Sequence, residues 1–161
     1  MRTGRHDIVV ATRRRRGRAL QAERLADEEF GLVTAPAWAE RLKGHELPTA
    51  LESLPVIAYA EDLPIARRHW RHVFDRRLYV QAAITVPDLR GVLTAVTNGA
   101  GWSVLPSYLC QGELASGALR PVHQPEDPPV ITAYLVQCLG SSTNPHLTLV
   151  LEHLLSAAKT W

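Results

Sequence analysis

With 161 residues, 46% of them hydrophobic and 21% charged, the chain lies in the globular range and outside that of disordered segments. A net charge of only +2 argues against a dedicated nucleic-acid-binding domain, and two cysteines do not make a disulfide framework. No apolar run approaches the roughly 18–20 residues needed to span a bilayer, so a soluble, cytoplasmic protein is expected.

In chain order, Asp7–Thr12 (D-I-V-V-A-T) reads as a buried strand, followed by a basic loop of Arg13–Arg16 and Arg18. Glu23–Glu29 reads as a polar connection. Phe30–Ala35 is a second strand ended by Pro36, Ala37–Leu42 a short helix ended by Gly44, and His45–Pro55 a linker candidate. Val56–Tyr59 is a strand. Asp62 can cap the next helix, with Pro64 in its first turn. That helix turns Ala66, Trp70, Val73 and Phe74 inward and Arg67, Arg68, Arg71 and His72 outward.

Gln81–Cys110 is the most ordered stretch of the pattern. Ile84–Val86 is a short β-branched run stopped by Pro87. Leu89, Val92, Leu93 and Val96 recur at helical spacing, Asn98-Gly99 ends that helix, and Trp102–Leu105 is a strand closed by Pro106. Ser107–Ser116 reads as a broken helix ended by Gly117. Leu119–Val122, a proline-rich loop at Gln124–Pro129, a strand at Val130–Val136 and a helix starting at Asn144-Pro145 complete the chain. Strands alternate with helices, which makes the class α/β.

The segment V-P-D-L-R-G-V-L-T-A-V-T-N-G-A-G-W-S-V-L-P resembles the signature of the effector-binding (substrate-binding) domain of LysR-type transcriptional regulators. There a helix ends in a Gly-x-Gly turn and the next apolar strand ends in Leu-Pro. D-I-V-V-A-T, F-G-L-V-T-A-P-A-W and L-P-V-I-A-Y extend the likeness from about Asp7 to Leu155. The resemblance implies a periplasmic-binding-protein-like two-lobe fold with a mostly parallel sheet per lobe. Lobe one would take residues 1–50 and 123–161, lobe two 56–119, with linkers near 51–55 and 120–122. It also implies that the helix-turn-helix domain and the first part of lobe one are missing, so lobe one is expected to be incomplete.

On this reading the chain senses a small, anionic or planar molecule in a cleft between the lobes. The candidate contacts are Thr12, Arg13, Tyr59, Thr85, Val86, Asp88, Trp102 and Ser103. Arg13 at a strand end could pair with an anion, and the helix after Asp88 offers a positive dipole end. Trp102 is open between a core residue and a flat aromatic wall. No cofactor is expected. Gly99-Ala100-Gly101 follows a helix and opens a strand, the reverse of a dinucleotide fingerprint. Gly101–Leu105 lacks the second glycine of a nucleophile elbow. His69 and His72 are two ligands where zinc needs three or four, and the pair reads as a solvated helix face. No nucleophile, base and oxyanion donor assemble, so an enzyme is not expected. The expected partners are a small effector and a second copy, in a dimer through lobe one near Ile8–Ala11 and Val130–Val136. Specific DNA binding is expected only of a full-length parent. The alternative is a self-associating fragment that holds no ligand.

Overall fold

The computed structural model describes residues 6–14, 17, 19–138 and 144–160. Its strands are β1 (Ile8–Ala11), β2 (Leu20–Thr34), β3 (Ile57–Ala58), β4 (Ile84–Thr85), β5 (Trp102–Pro106), β6 (Arg120–His123) and β7 (Val130–Cys138). Its helices are α1 (Pro36–Leu42), α2 (Leu47–Glu52), α3 (Pro64–Phe74), α4 (Leu89–Thr97), α5 (Ser107–Ser116) and α6 (Pro145–Ala157), the last followed by a 3-10 turn at Ala158–Thr160.

The chain divides into two units, one of Met1–Glu28 with Val130–Trp161 and one of Glu29–Pro129. The crossings therefore fall inside β2 and before β7, not near 51–55 and 120–122. The reason is strand pairing. Phe30–Thr34 lies antiparallel to β5, and Leu32–Thr34 pairs with β6, so residues 29–50 join the second unit. Glu23–Glu29 is not a loop but part of this 15-residue strand. Leu20 and Ala22 alternate with Gln21 and Glu23 in burial, the period of a half-covered strand. The linker candidate is likewise structured. Glu46 accepts from the Thr49 backbone N–H at 3.2 Å and caps α2, and Pro48 falls in the first turn, where proline is tolerated.

In the first unit β1 runs antiparallel to β7, Ile8 opposite Gln137 and Ala11 opposite Tyr134. The Thr132 hydroxyl donates to Asp27 Oδ1 at 2.7 Å. β1 is less buried than its composition predicts, because it ends the strand order and Val10 is 57% exposed. Of the basic run, Arg13 and Arg14 are exposed, and Arg15, Arg16 and Arg18 lie outside the described residues.

The second unit holds the larger core. Val33, Ile57, Val92, Leu93, Val96, Leu105, Cys110 and Leu119 form one cluster. The apolar stripe of α4 supplies three of them, at the spacing read from the sequence. Only part of its strand arrangement is parallel: β3 with β4, and a parallel bridge between Val56 and Trp102. The pairings of β2 with β5 and β6 are antiparallel, since a strand arriving from the other unit need not follow the strand–helix–strand repeat that enforces parallel order. α5 is continuous and ends at Gly117 in the left-handed conformation. Burial pushes the Cys110 thiol up to about 11, helped by nearby Glu113, and neither cysteine is in a disulfide.

Candidate functional site

The Gly99-Ala100-Gly101 turn is a structural clamp. Gly99 closes α4 with φ +84°, and its carbonyl accepts from Trp38 Nε1 at 2.8 Å. The Gly101 carbonyl accepts from Thr34 Oγ1 at 2.9 Å, and Trp102 N–H donates to Pro55 O at 3.0 Å. A Cβ on Gly101 would stand 2.1 Å from that Pro55 oxygen, so only glycine fits.

Trp102 is fully buried and lines no cleft. Its ring stacks on Trp70 with centroids 5.5 Å apart, and its Nε1 donates to Leu51 O at 2.9 Å. The wall reading fails because β5 is covered on both faces, a burial pattern without alternation. Ser103 is also buried, its hydroxyl donating to Ile57 O at 2.7 Å.

What remains is a recess at the carboxyl ends of β3 and β4, where ligands bind in open α/β sheets. It is lined by Ile57–Tyr59, by Leu63–Ala66 at the start of α3, by Leu89 at the start of α4, and by Ser103 and Val104. Its volume is about 10 Å³, room for roughly one water. Tyr59 stands 37% exposed beside it. Val86 N–H donates to Ala58 O at 2.8 Å, which ties the end of β4 to β3. Asp88 caps α4 by accepting from Arg90 N–H at 2.8 Å. Gly91 has Val86 Cγ1 only 2.7 Å from where its Cβ would be, so glycine lets the helix close down on the strand end.

The start of α3 differs from expectation. Asp62 is exposed and does not cap it. The cap position is Leu63, in the left-handed conformation at φ +52° and buried, with no side-chain hydrogen bond to the helix. A non-glycine residue in this region costs energy and is concentrated at ligand sites. The sequence carried a partial signal, because the residue before a proline is kept out of the right-handed helical region. The end of α3 is similar, with Asp75 at φ +50°.

Of the expected contacts, the structure brings Tyr59 and Ser103 to the recess and sets Thr85, Val86 and Asp88 along the adjoining strand end and helix start. Trp102 belongs to the core. Thr12 and Arg13 follow β1 in the other unit, both exposed.

His69 is not on a solvated face. It is 1% exposed, and among the described residues neither ring nitrogen has a hydrogen-bond partner. Its place on the Ala66–Trp70–Val73 stripe was readable from helical spacing. Burial holds its pKa down at about 4, with smaller contributions from His123 and His72. Between about 4 and its ordinary 6.5 the unfolded chain binds the proton and the folded chain does not. Folding is therefore unpenalised above the upper value, loses stability as pH falls through the window, and reaches the full loss near the lower one. That loss is up to about 3 kcal/mol. His69→Phe should remove this part of the acid sensitivity, which urea melts at a series of pH values would measure. Identical pH profiles for variant and wild type would contradict the assignment.

Comparison with known proteins bears on the family and the fold. The family model described as the LysR substrate binding domain matches residues 1–159. The HTH-type transcriptional regulator AbaB of Streptomyces antibioticus is 42% identical over 162 residues, 98% of this chain and 54% of that protein. The crystal structure of ArgP from Mycobacterium tuberculosis superposes with a TM-score of 0.84 at 21% identity, over 98% of this chain and 53% of that one. Full-length LysG from Corynebacterium glutamicum with bound effector Arg gives 0.79 at 19%, over 98% and 52%. The chain thus spans about half the length of these relatives. Among the described residues no helix is long and apolar enough to cross a membrane. From the matched residues and the curated relative, the chain belongs to the LysR substrate-binding domain family.

Proposed function

We propose that this chain is the ligand-sensing part of a transcriptional regulator, and that the second unit holds a small carboxylate-bearing effector at the recess beside Tyr59. The observation that carries this reading is the start of α3. An 11-residue helix begins there without a side-chain cap, on a buried left-handed Leu63, at the carboxyl ends of β3 and β4. Backbone donors and the dipole at such an end favour an anion by about 0.3–1 kcal/mol. The bound arginine of the LysG structure, a small carboxylate-bearing molecule, supports the class. The planar ligand once expected from Trp102 loses its basis, since that ring is enclosed. A recess of one-water size means that binding must move Tyr59 or the α3 start outward. In a full-length parent, DNA binding would belong to a helix-turn-helix domain.

Amino acids and small organic acids should be screened by thermal shift. A true effector at about 100 times its dissociation constant adds about 2.7 kcal/mol, a rise of about 5–11 °C at this chain length. Tyr59→Ala should abolish the rise, and Tyr108→Ala, exposed on α5, should leave it intact. Stabilisation that survives Tyr59→Ala would move the site elsewhere.

A second reading has its own observation. α6 buries none of its 13 residues fully, although Leu147, Val150, Leu151, Leu154 and Leu155 lie along it, and Leu149 is 66% exposed. Together with the exposed Val10 of β1, this favours self-association of the first unit. If the screen finds no ligand and light scattering gives a dimer at micromolar concentration, this reading replaces the first.

A further inference from the structure

Apart from the recess, α3 carries a second feature on its outer side. Arg67 and Arg71 form one i,i+4 row, and Arg68 and His72 form a second row beside it. All four are exposed and line one open surface depression. Residues in such rows have Cβ atoms about 5–6 Å apart, and like charges there destabilise a helix. The helix holds no acidic residue that would offset this. Asp127 reaches the group at His72, its carboxylate 3.3 Å from His72 Nε2 and its backbone carbonyl 2.9 Å from the same nitrogen. Among the described residues Arg67 and Arg71 have no ion-pair partner.

We infer that this cluster of three arginines and His72 on α3 is a binding site for a compact phosphate-bearing small molecule. Guanidinium forks match phosphate oxygens in pairs, and a bound phosphate would relieve the repulsion between Arg67 and Arg71. The surroundings select for a compact ligand. Glu61 and Asp62 precede the helix, Asp75 follows it, and Glu126 adjoins Asp127, all of them exposed. An extended polyanion such as duplex DNA would bring further phosphates against these carboxylates. A single phosphate chain a few ångströms long stays within the two rows.

The test is calorimetric titration of the whole chain with inorganic tripolyphosphate near neutral pH. Salt should be about 0.1 M, where charges beyond about 10 Å are screened. Saturable binding is expected, and Arg67→Gln/Arg71→Gln should weaken it at least about tenfold, since contacts to charged groups are worth more than 1.4 kcal/mol each. Arg13→Gln/Arg14→Gln, which alters an exposed basic segment of the other unit, should leave it unchanged, as should Tyr59→Ala at the recess. The α3 double variant should melt no lower than wild type, because it removes a like-charge pair, so lost binding would not reflect lost fold. Absence of binding, equal affinity in the α3 variant, or tighter binding of a mixed-sequence DNA duplex through the same two arginines would overturn the inference.

Discussion

Replacing Trp102 by alanine is expected to destabilise the second unit by about 3–5 kcal/mol, the range for removing a buried aromatic side chain. Two losses combine. The stacked contact with Trp70 disappears, and Trp70 in turn packs edge-on to Phe74 at 4.7 Å, so the hole opens into a chain of rings. The Leu51 carbonyl, buried at the end of α2, loses the donor that Trp102 Nε1 supplies. At about 2–4 °C per kcal/mol for this size, the melting temperature should fall by roughly 6–20 °C. Trp102→Phe should fall in between, because it keeps a ring on Trp70 but takes the indole donor from the Leu51 oxygen, which retains the Leu54 N–H at 3.1 Å. An alanine variant that melts within a degree or two of wild type would show that the stack contributes little.

Gly101→Ala should be of comparable severity for a different reason. No side chain is lost; a methyl group is added 2.1 Å from a backbone oxygen that already accepts the Trp102 N–H. The Pro55 carbonyl cannot turn away without breaking that bond and the bridge that joins Val56 to Trp102. The left-handed backbone angle adds about 1–3 kcal/mol of strain for a residue with a Cβ. A total of at least about 2–4 kcal/mol is expected. Gly99→Ala is the control. It has φ +84° but open space around its Cβ, so it should cost only the backbone strain. Chemical denaturation of the two variants separates steric from conformational cost. Equal losses would mean that the Pro55 contact is soft.

Both sites lie in the stretch that was most legible beforehand. The α4 stripe, the Gly99 stop and the β5 strand all follow from local rules, and local rules apply whatever the rest of the chain does. The family resemblance rested on the same residues and is shown by the match over residues 1–159. Elsewhere, local polarity misled. Glu23–Glu29 looked like a loop because charged side chains dominate it, yet it is strand, since its backbone can pair with neighbours from distant sequence. His45–Pro55 looked like a linker because of its prolines, yet Pro48 sits in a helical first turn.

The candidate site was less legible than the fold. Composition places an aromatic at position 102 without saying which face of β5 is covered. That was decided by Trp70 and by the Leu51 carbonyl, contributions from residues 32 and 51 positions away. Helical spacing could have placed His69 on the inner face, but not the absence of hydrogen-bond partners around it. Leu63 shows the same division. Pro64 restricts its backbone from the sequence alone, whereas the choice of the left-handed region depends on burial against neighbouring elements. By itself the sequence determined the elements whose apolar period or glycine stop is local, and through them the family. The tertiary structure decided where the chain crosses between units, which aromatics are enclosed and that α3 starts on a buried left-handed residue, because each depends on contacts between residues far apart in the chain.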